Sequence, residues 1–116
     1  MLTPKLFDLL ILEEEWENEK GFKVTVEAYI GIMGKEDYEE IYTFYVVSPK
    51  YVETIVSRSS IEMGRGLIII KDLNLQVIEN QIIRLLPQCS GVTWEEIAKL
   101  LNRYGYGEYE DHPLEG

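Results

Sequence analysis

The stretch from Phe22 to Met33 limits the choice of fold more than any other part of the chain. Phe22, Val24, Val26, Ala28, Ile30 and Ile32 alternate with Lys23, Thr25, Glu27 and Tyr29, and a period of two sends one set to each face of a β-strand. The first face reads as core and the second as wetter. Glu40–Val47 adds a second β-rich run in Ile41, Tyr42, Thr43, Phe44, Tyr45, Val46 and Val47. With Gly34–Glu39 read as a charged turn between them, the two runs predict an antiparallel hairpin.

The remaining punctuation extends this sheet and adds helices. Lys5–Leu12 reads as a first strand, and Glu13–Gly21 as a polar connection with a short helical turn around Trp16. Ser48 before Pro49 is a helix start, since Ser can cap and Pro is tolerated at the first helical position; Tyr51, Val52, Ile55 and Val56 mark the apolar face. Gly64-Arg65-Gly66 eases the entry to Leu67–Ile70, a continuous apolar run of the kind buried on both faces or near a sheet centre. Asp72 or Asn74 can cap the next helix, whose Leu75, Ile78, Ile82, Leu85 and Leu86 keep helical spacing until Pro87.

Gln88–Val92 links to a helix that opens with a capping box, Thr93 and Glu96. Trp94, Ile97, Ala98, Leu101 and Tyr104 share its core face. Gly105 stands where a left-handed C-terminal cap is expected, after which Tyr106–Asp111 runs on extended and can add an edge strand. The predicted class is α+β: a single domain with a mainly antiparallel sheet and about three helices packed against it.

A chain of 116 residues is the size of one ordinary domain that buries roughly two thirds of its unfolded surface, and an apolar content of 46% with eight Tyr argues against disorder. Cys89 is the only cysteine, which excludes an intramolecular disulfide and a Cys-rich metal site; it reads as a small buried or half-buried thiol. Asp8 interrupts the apolar N-terminal stretch and no small-residue cleavage site follows, unlike a signal peptide. No apolar run approaches the roughly 20 residues that span a bilayer, so a cytoplasmic location and no membrane partner are expected.

Catalytic patterns are sparse. The single His112, in Asp111-His112-Pro113 near the chain end, is badly placed to be held against a nucleophile. Gly64-Arg65-Gly66 matches neither a Walker pattern nor GxGxxG. Glu13–Glu15 and Glu36–Glu40 supply oxygens in abundance, but no EF-hand loop or His-containing ligand spacing accompanies them, and Glu95 reads as a first-turn residue favoured by the helix dipole. No catalytic residue, metal or cofactor is predicted.

Charge says more. The net charge is −10, with 21 acids against 11 bases, clustered at Glu13–Glu19, Glu36–Glu40 and Glu108–Glu115. Direct nucleic-acid binding, which depends on Lys and Arg neutralising phosphates, is disfavoured, and a basic protein partner is favoured.

Thr93-Trp94-Glu95-Glu96-Ile97-Ala98, with Leu101, Arg103 and Gly105 and the continuation through Glu108, Tyr109, Glu110 and Asp111, resembles the immunity protein 8 family of bacterial polymorphic toxin systems. Ser48-Pro49-Lys50-Tyr51 and the Gly64–Ile70 segment carry further likeness. Where the family pattern has Trp this chain has Gly107 and Tyr51, and Tyr109 stands for a Phe, so the terminal aromatic cluster is thinner. The resemblance implies inhibition of a cognate toxin, and the acidic composition adds the expectation that this happens by stoichiometric occlusion, without turnover and not as an enzyme.

The acids expected to meet such a partner are Glu36, Asp37, Glu39 and Glu40 at the strand turn and Glu108, Glu110 and Asp111 in the tail, with Tyr38 and Tyr106 as aromatic anchors. Two other classes stay open at the level of sequence. One is a regulatory or structural interaction domain without a toxin partner; the other is a small carboxylate-dependent enzyme.

Overall fold

The structure, a computed structural model, describes residues 1–19, 21–59 and 64–108, and the backbone but not the side chains of Glu36 and Asp37. The sequence-derived assignments to Tyr109, Glu110, Asp111 and His112 lie outside the described residues.

Three long strands dominate: β1 (Pro4–Glu17), β2 (Gly21–Ile32) and β3 (Lys35–Val47). They pair antiparallel in chain order. Helix α1 (Pro49–Ser59) carries the chain back so that β4 (Leu67–Ile69) adds parallel to the end of β3. Helix α2 (Leu75–Leu85), a 3-10 turn at Leu86–Cys89 and helix α3 (Trp94–Leu101) follow. The two-residue strand β5 (Tyr106–Gly107) then pairs antiparallel with Tyr42 and Thr43 of β3. The α+β class and the mainly antiparallel sheet agree with the sequence.

Alternation in β2 and β3 divides the molecule into two apolar clusters. Val24, Val26, Ala28 and Ile30 are fully buried and cluster with Phe44 and Val46 of β3 and with Ile78, Ile82, Leu86, Ile97 and Leu101 from α2, the 3-10 turn and α3. Each such Val, Ile or Leu side chain contributes roughly 1.5–3 kcal/mol when withdrawn from water. The next residue along β3, Val47, faces the other way and packs with Tyr51 and Ile55 of α1. We call these the inner face, under α2 and α3, and the outer face, under α1.

The polar caps form where the sequence places them. Ser48 Oγ accepts from the amide of Tyr51 (3.2 Å), and also from that of Phe22 (3.0 Å), tying the start of α1 to the start of β2. Asn74 rather than Asp72 caps α2, accepting from Val77 N at 3.3 Å. Thr93 Oγ1 accepts from Glu96 N at 3.3 Å, and the Glu96 carboxylate takes the amide of Val92, one residue before the cap, at 2.7 Å.

Six expectations need correction. The Glu13–Gly21 connection is strand as far as Glu17, because backbone pairing with Gly21–Thr25 of β2 sustains an extended segment that no apolar alternation announces. The Gly34–Glu39 turn is tighter: β3 begins at Lys35, and Glu36–Tyr38 bulge out between the pairs Ile32–Lys35 and Gly31–Glu39. Leu67–Ile70 is a short outer strand, not a central one, with Ile69 58% exposed.

The supposedly wetter face of β2 is dry at one end. Lys23 and Thr25 are buried there, and the Lys23 ammonium lies over the Tyr45 ring and 3.8 Å from Glu15. Finally, Gly105 has no positive φ, and α3 ends in ordinary right-handed geometry at Asn102. A Cβ on Gly105 would stand 2.8 Å from Phe44 Cζ, so close approach to the core requires the glycine. Tyr104 falls beyond α3 and is 38% exposed.

Candidate functional site

One row of the sheet gathers residues from four separate parts of the sequence. Tyr29 of β2 is paired with Asp8 of β1 on one side and Ile41 of β3 on the other. The row is extended by Glu108, just after β5, whose Oε1 accepts from the Ile41 amide at 3.3 Å. Two positions along the same strands, and therefore on the same outer face, are Glu27 and Glu39. Helix α1 packs on this face only toward the strand ends near Gly21 and Val47, leaving Asp8, Glu39 and Glu108 exposed and Glu27, Tyr29 and Ile41 half-buried.

The electrostatics report the same convergence. The Tyr29 hydroxyl titrates above its ordinary 10.0, pushed first by loss of water contact and then by the charges of Glu27, Glu39, Asp8 and Glu108. Four carboxylates, from β1, β2, β3 and the residue after β5, thus act on one Tyr hydroxyl.

The residues singled out from the sequence divide among different places. Glu39 and Glu108 meet on the outer face, where Asp8 and Glu27 join them unforeseen. Glu40, one residue on from Glu39, turns to the opposite face. There its carboxylate accepts from Tyr38 OH (2.8 Å) and Tyr42 OH (3.2 Å). Burial, then the Glu40 charge and hydrogen bond, raises the Tyr42 pKa strongly. Tyr38 is 46% exposed and sets its ring edge-on to Trp94, centroids 5.5 Å apart.

Tyr106 is buried, its hydroxyl donating to the Arg65 carbonyl at 3.2 Å while the Arg65 guanidinium lies 4.4 Å over its ring. It supports β5 instead of presenting an anchor. Gly66, at φ +77°, has Tyr106 where a Cβ would be. Glu36 and Asp37 lie in the β3 bulge.

Asp8 and Glu27 carry a signal that charge clustering does not reveal. Glu27 shares strand parity with Tyr29, and the rest of the constellation requires the β1–β2–β3 register. Elsewhere, Cys89 is buried and its thiol pKa is raised by that burial, opposed in part by Arg103, so no thiolate nucleophile is poised there. Among the described residues no three His, Cys, Asp or Glu side chains form a metal-holding group, and no helix is long and apolar enough to cross a membrane.

Asp8, Glu39 and Glu108 thus stand exposed on the outer face of the sheet, away from α2 and α3. A family model described as Immunity protein 8 matches residues 6–112, and the chain belongs to that family. Immunity proteins are components of toxin systems, so the family places this chain among their inhibitors. Comparison with curated proteins gives no match, and comparison with solved structures gives none.

Proposed function

We propose that this protein binds one molecule of a cognate toxin and neutralises it by occlusion, laying the acidic outer face of its sheet over a basic surface of the toxin. The observation that carries the reading is the convergence of Asp8, Glu27, Glu39 and Glu108 on Tyr29. Toxins that act on nucleic acids need Lys and Arg to engage phosphates, and a complementary acidic face competes for those same groups. Rigid strands hold the carboxylates in place before contact, which limits the ordering cost of binding.

Affinity on this reading comes from a few desolvated anchors, with Tyr29 at the centre, and the acids supply steering and register. Turnover plays no part. The test is co-expression with the toxin domain encoded beside this chain's gene: growth is restored by the wild-type chain and by a folded Glu53→Lys control on the exposed side of α1, and is lost with Asp8→Lys/Glu39→Lys. Equal rescue by the double charge reversal would remove the acidic-face account, and failure of the wild-type chain to rescue would remove the toxin reading.

A further inference from the structure

β1 is the outermost long strand, and all its strand pairing is with β2. Among the described residues no strand lies against its other edge between Asp8 and Trp16. That edge offers a column of outward-facing backbone N–H and C=O groups, which proteins ordinarily blunt with Lys, Pro, brevity or bulges. Pro4 and Lys5 guard only the first two positions of this strand. Bulges interrupt it at Phe7 and Leu12, but from Asp8 to Trp16 it has no Lys, Arg or Pro.

The side chains of this stretch are unusual for an idle edge. Leu10, Ile11, Leu12 and Trp16 are each at least 40% exposed, and Leu10 and Ile11 project to opposite faces of the sheet. Glu13, Glu14 and Glu15 form a run between Leu12 and Trp16, Glu15 reaching Lys23 and Glu14 accepting from Trp16 Nε1 at 3.2 Å. Apolar groups on both faces, acids between them and a backbone edge that carries no strand, with the Leu9 amide held by Asp8 Oδ1 at 2.9 Å, together describe a receptor for a strand.

We infer that the edge of β1 from Asp8 to Trp16 accepts a basic strand of the toxin, alternating cationic and apolar residues, as an added strand of the sheet. The inference rests on the toxin-binding reading and specifies how the partner seats. Charge favours a basic occupant: Lys or Arg opposite Glu13–Glu15 is attractive, whereas a second copy of this chain would bring to the edge a strand with acids and no Lys or Arg between Asp8 and Trp16. The bulges add twist, which disfavours flat edge-to-edge self-pairing. An added strand over this stretch would run roughly 30 Å at about 3.4 Å per residue. Asp8 belongs both to this edge and to the Tyr29 row, so one partner can cover the two surfaces together.

Amide hydrogen exchange on the full chain, alone and in complex with the adjacently encoded toxin domain, tests the inference. Exchange within Asp8–Trp16 should slow at least tenfold in the complex. Leu12→Lys/Glu14→Lys, which alters only exposed side chains, should weaken binding at least tenfold with an unchanged melting temperature. A stable complex that leaves β1 exchange unchanged overturns the inference while the toxin reading stands. Failure to form any complex overturns both. A dimer of the free chain with β1 already protected overturns it too, by showing that the edge takes a second copy.

Discussion

Glu108 accepts the amide of Ile41 from 67 residues away, so the carboxylate that extends the Tyr29 row also closes the outer edge of β3 just past β5. The two roles separate by substitution. Glu108→Ala removes the acceptor from an exposed amide that water can serve, costing below about 1 kcal/mol, and speeds exchange of the Ile41 amide. Glu108→Gln keeps an acceptor oxygen and leaves that exchange slow, yet removes the charge. Slower toxin association in both variants, with faster exchange only in Ala, is the expected pattern; unchanged association in Gln would assign Glu108 to structure alone.

Gly105 against Phe44 gives a prediction with a built-in discriminator. Gly105→Ala would place a methyl group 2.8 Å from Phe44 Cζ, and overpacking of this kind costs about 1–3 kcal/mol. A left-handed cap would also resist alanine, but only crowding is relieved by trimming the neighbour. In urea denaturation, Phe44→Leu should therefore recover part of the loss in the double variant, giving a favourable coupling in a double-mutant cycle. Strict additivity would contradict the packing explanation.

The contrast with the sequence reading is instructive at these positions. A glycine after a helix suggests a left-handed cap, and only the fold reveals that Phe44 arrives from a strand 61 positions earlier, at the same spot. Val24–Ile30 was legible because a half-buried strand leaves a period of two. Glu13–Glu17 was not, because pairing with β2 holds it extended while both faces stay wet. Leu67–Ile69 is ambiguous in principle, since an apolar run does not state how many neighbours a strand will have. Clustering found Glu39 and Glu108 but also grouped Glu40 with Glu39, although adjacent strand residues face opposite ways. Asp8 and Glu27 required the register, which no local pattern encodes.

Alkaline pH should weaken the fold through Tyr42. Its hydroxyl is buried against the Glu40 carboxylate, and its folded pKa lies well above the ordinary 10.0. Above about pH 10 the unfolded chain releases this proton while the folded chain keeps it, so the folded state binds more protons and stability falls as pH rises. The contribution is fully present below pH 10, and its loss proceeds at up to about 1.4 kcal/mol per pH unit for this one group. Urea midpoints measured from pH 8 to 11.5 should decline beyond pH 10, less steeply in Tyr42→Phe. Cys89, raised from 9.0 by burial, begins a similar decline earlier, and Cys89→Ala isolates it. An identical alkaline slope in Tyr42→Phe would mean that this hydroxyl does not carry the effect.

Position, and not total charge, should govern capture of the toxin. Glu39→Lys and Glu53→Lys change the net charge equally, but Glu39 stands beside Tyr29 on the open sheet face whereas Glu53 is exposed on α1. At physiological ionic strength a charge more than about 8 Å from the contact is largely screened, so Glu53→Lys should leave association nearly unchanged there. Glu39→Lys, combined with Asp8→Lys, should slow association by about tenfold or more in low salt. That difference should shrink as salt is raised, and dissociation rates should move much less than association rates. Stopped-flow association at two salt concentrations reads both quantities. Equal slowing by Glu39→Lys and Glu53→Lys would show that the molecule's overall negative field steers the partner, with no privileged role for the row centred on Tyr29.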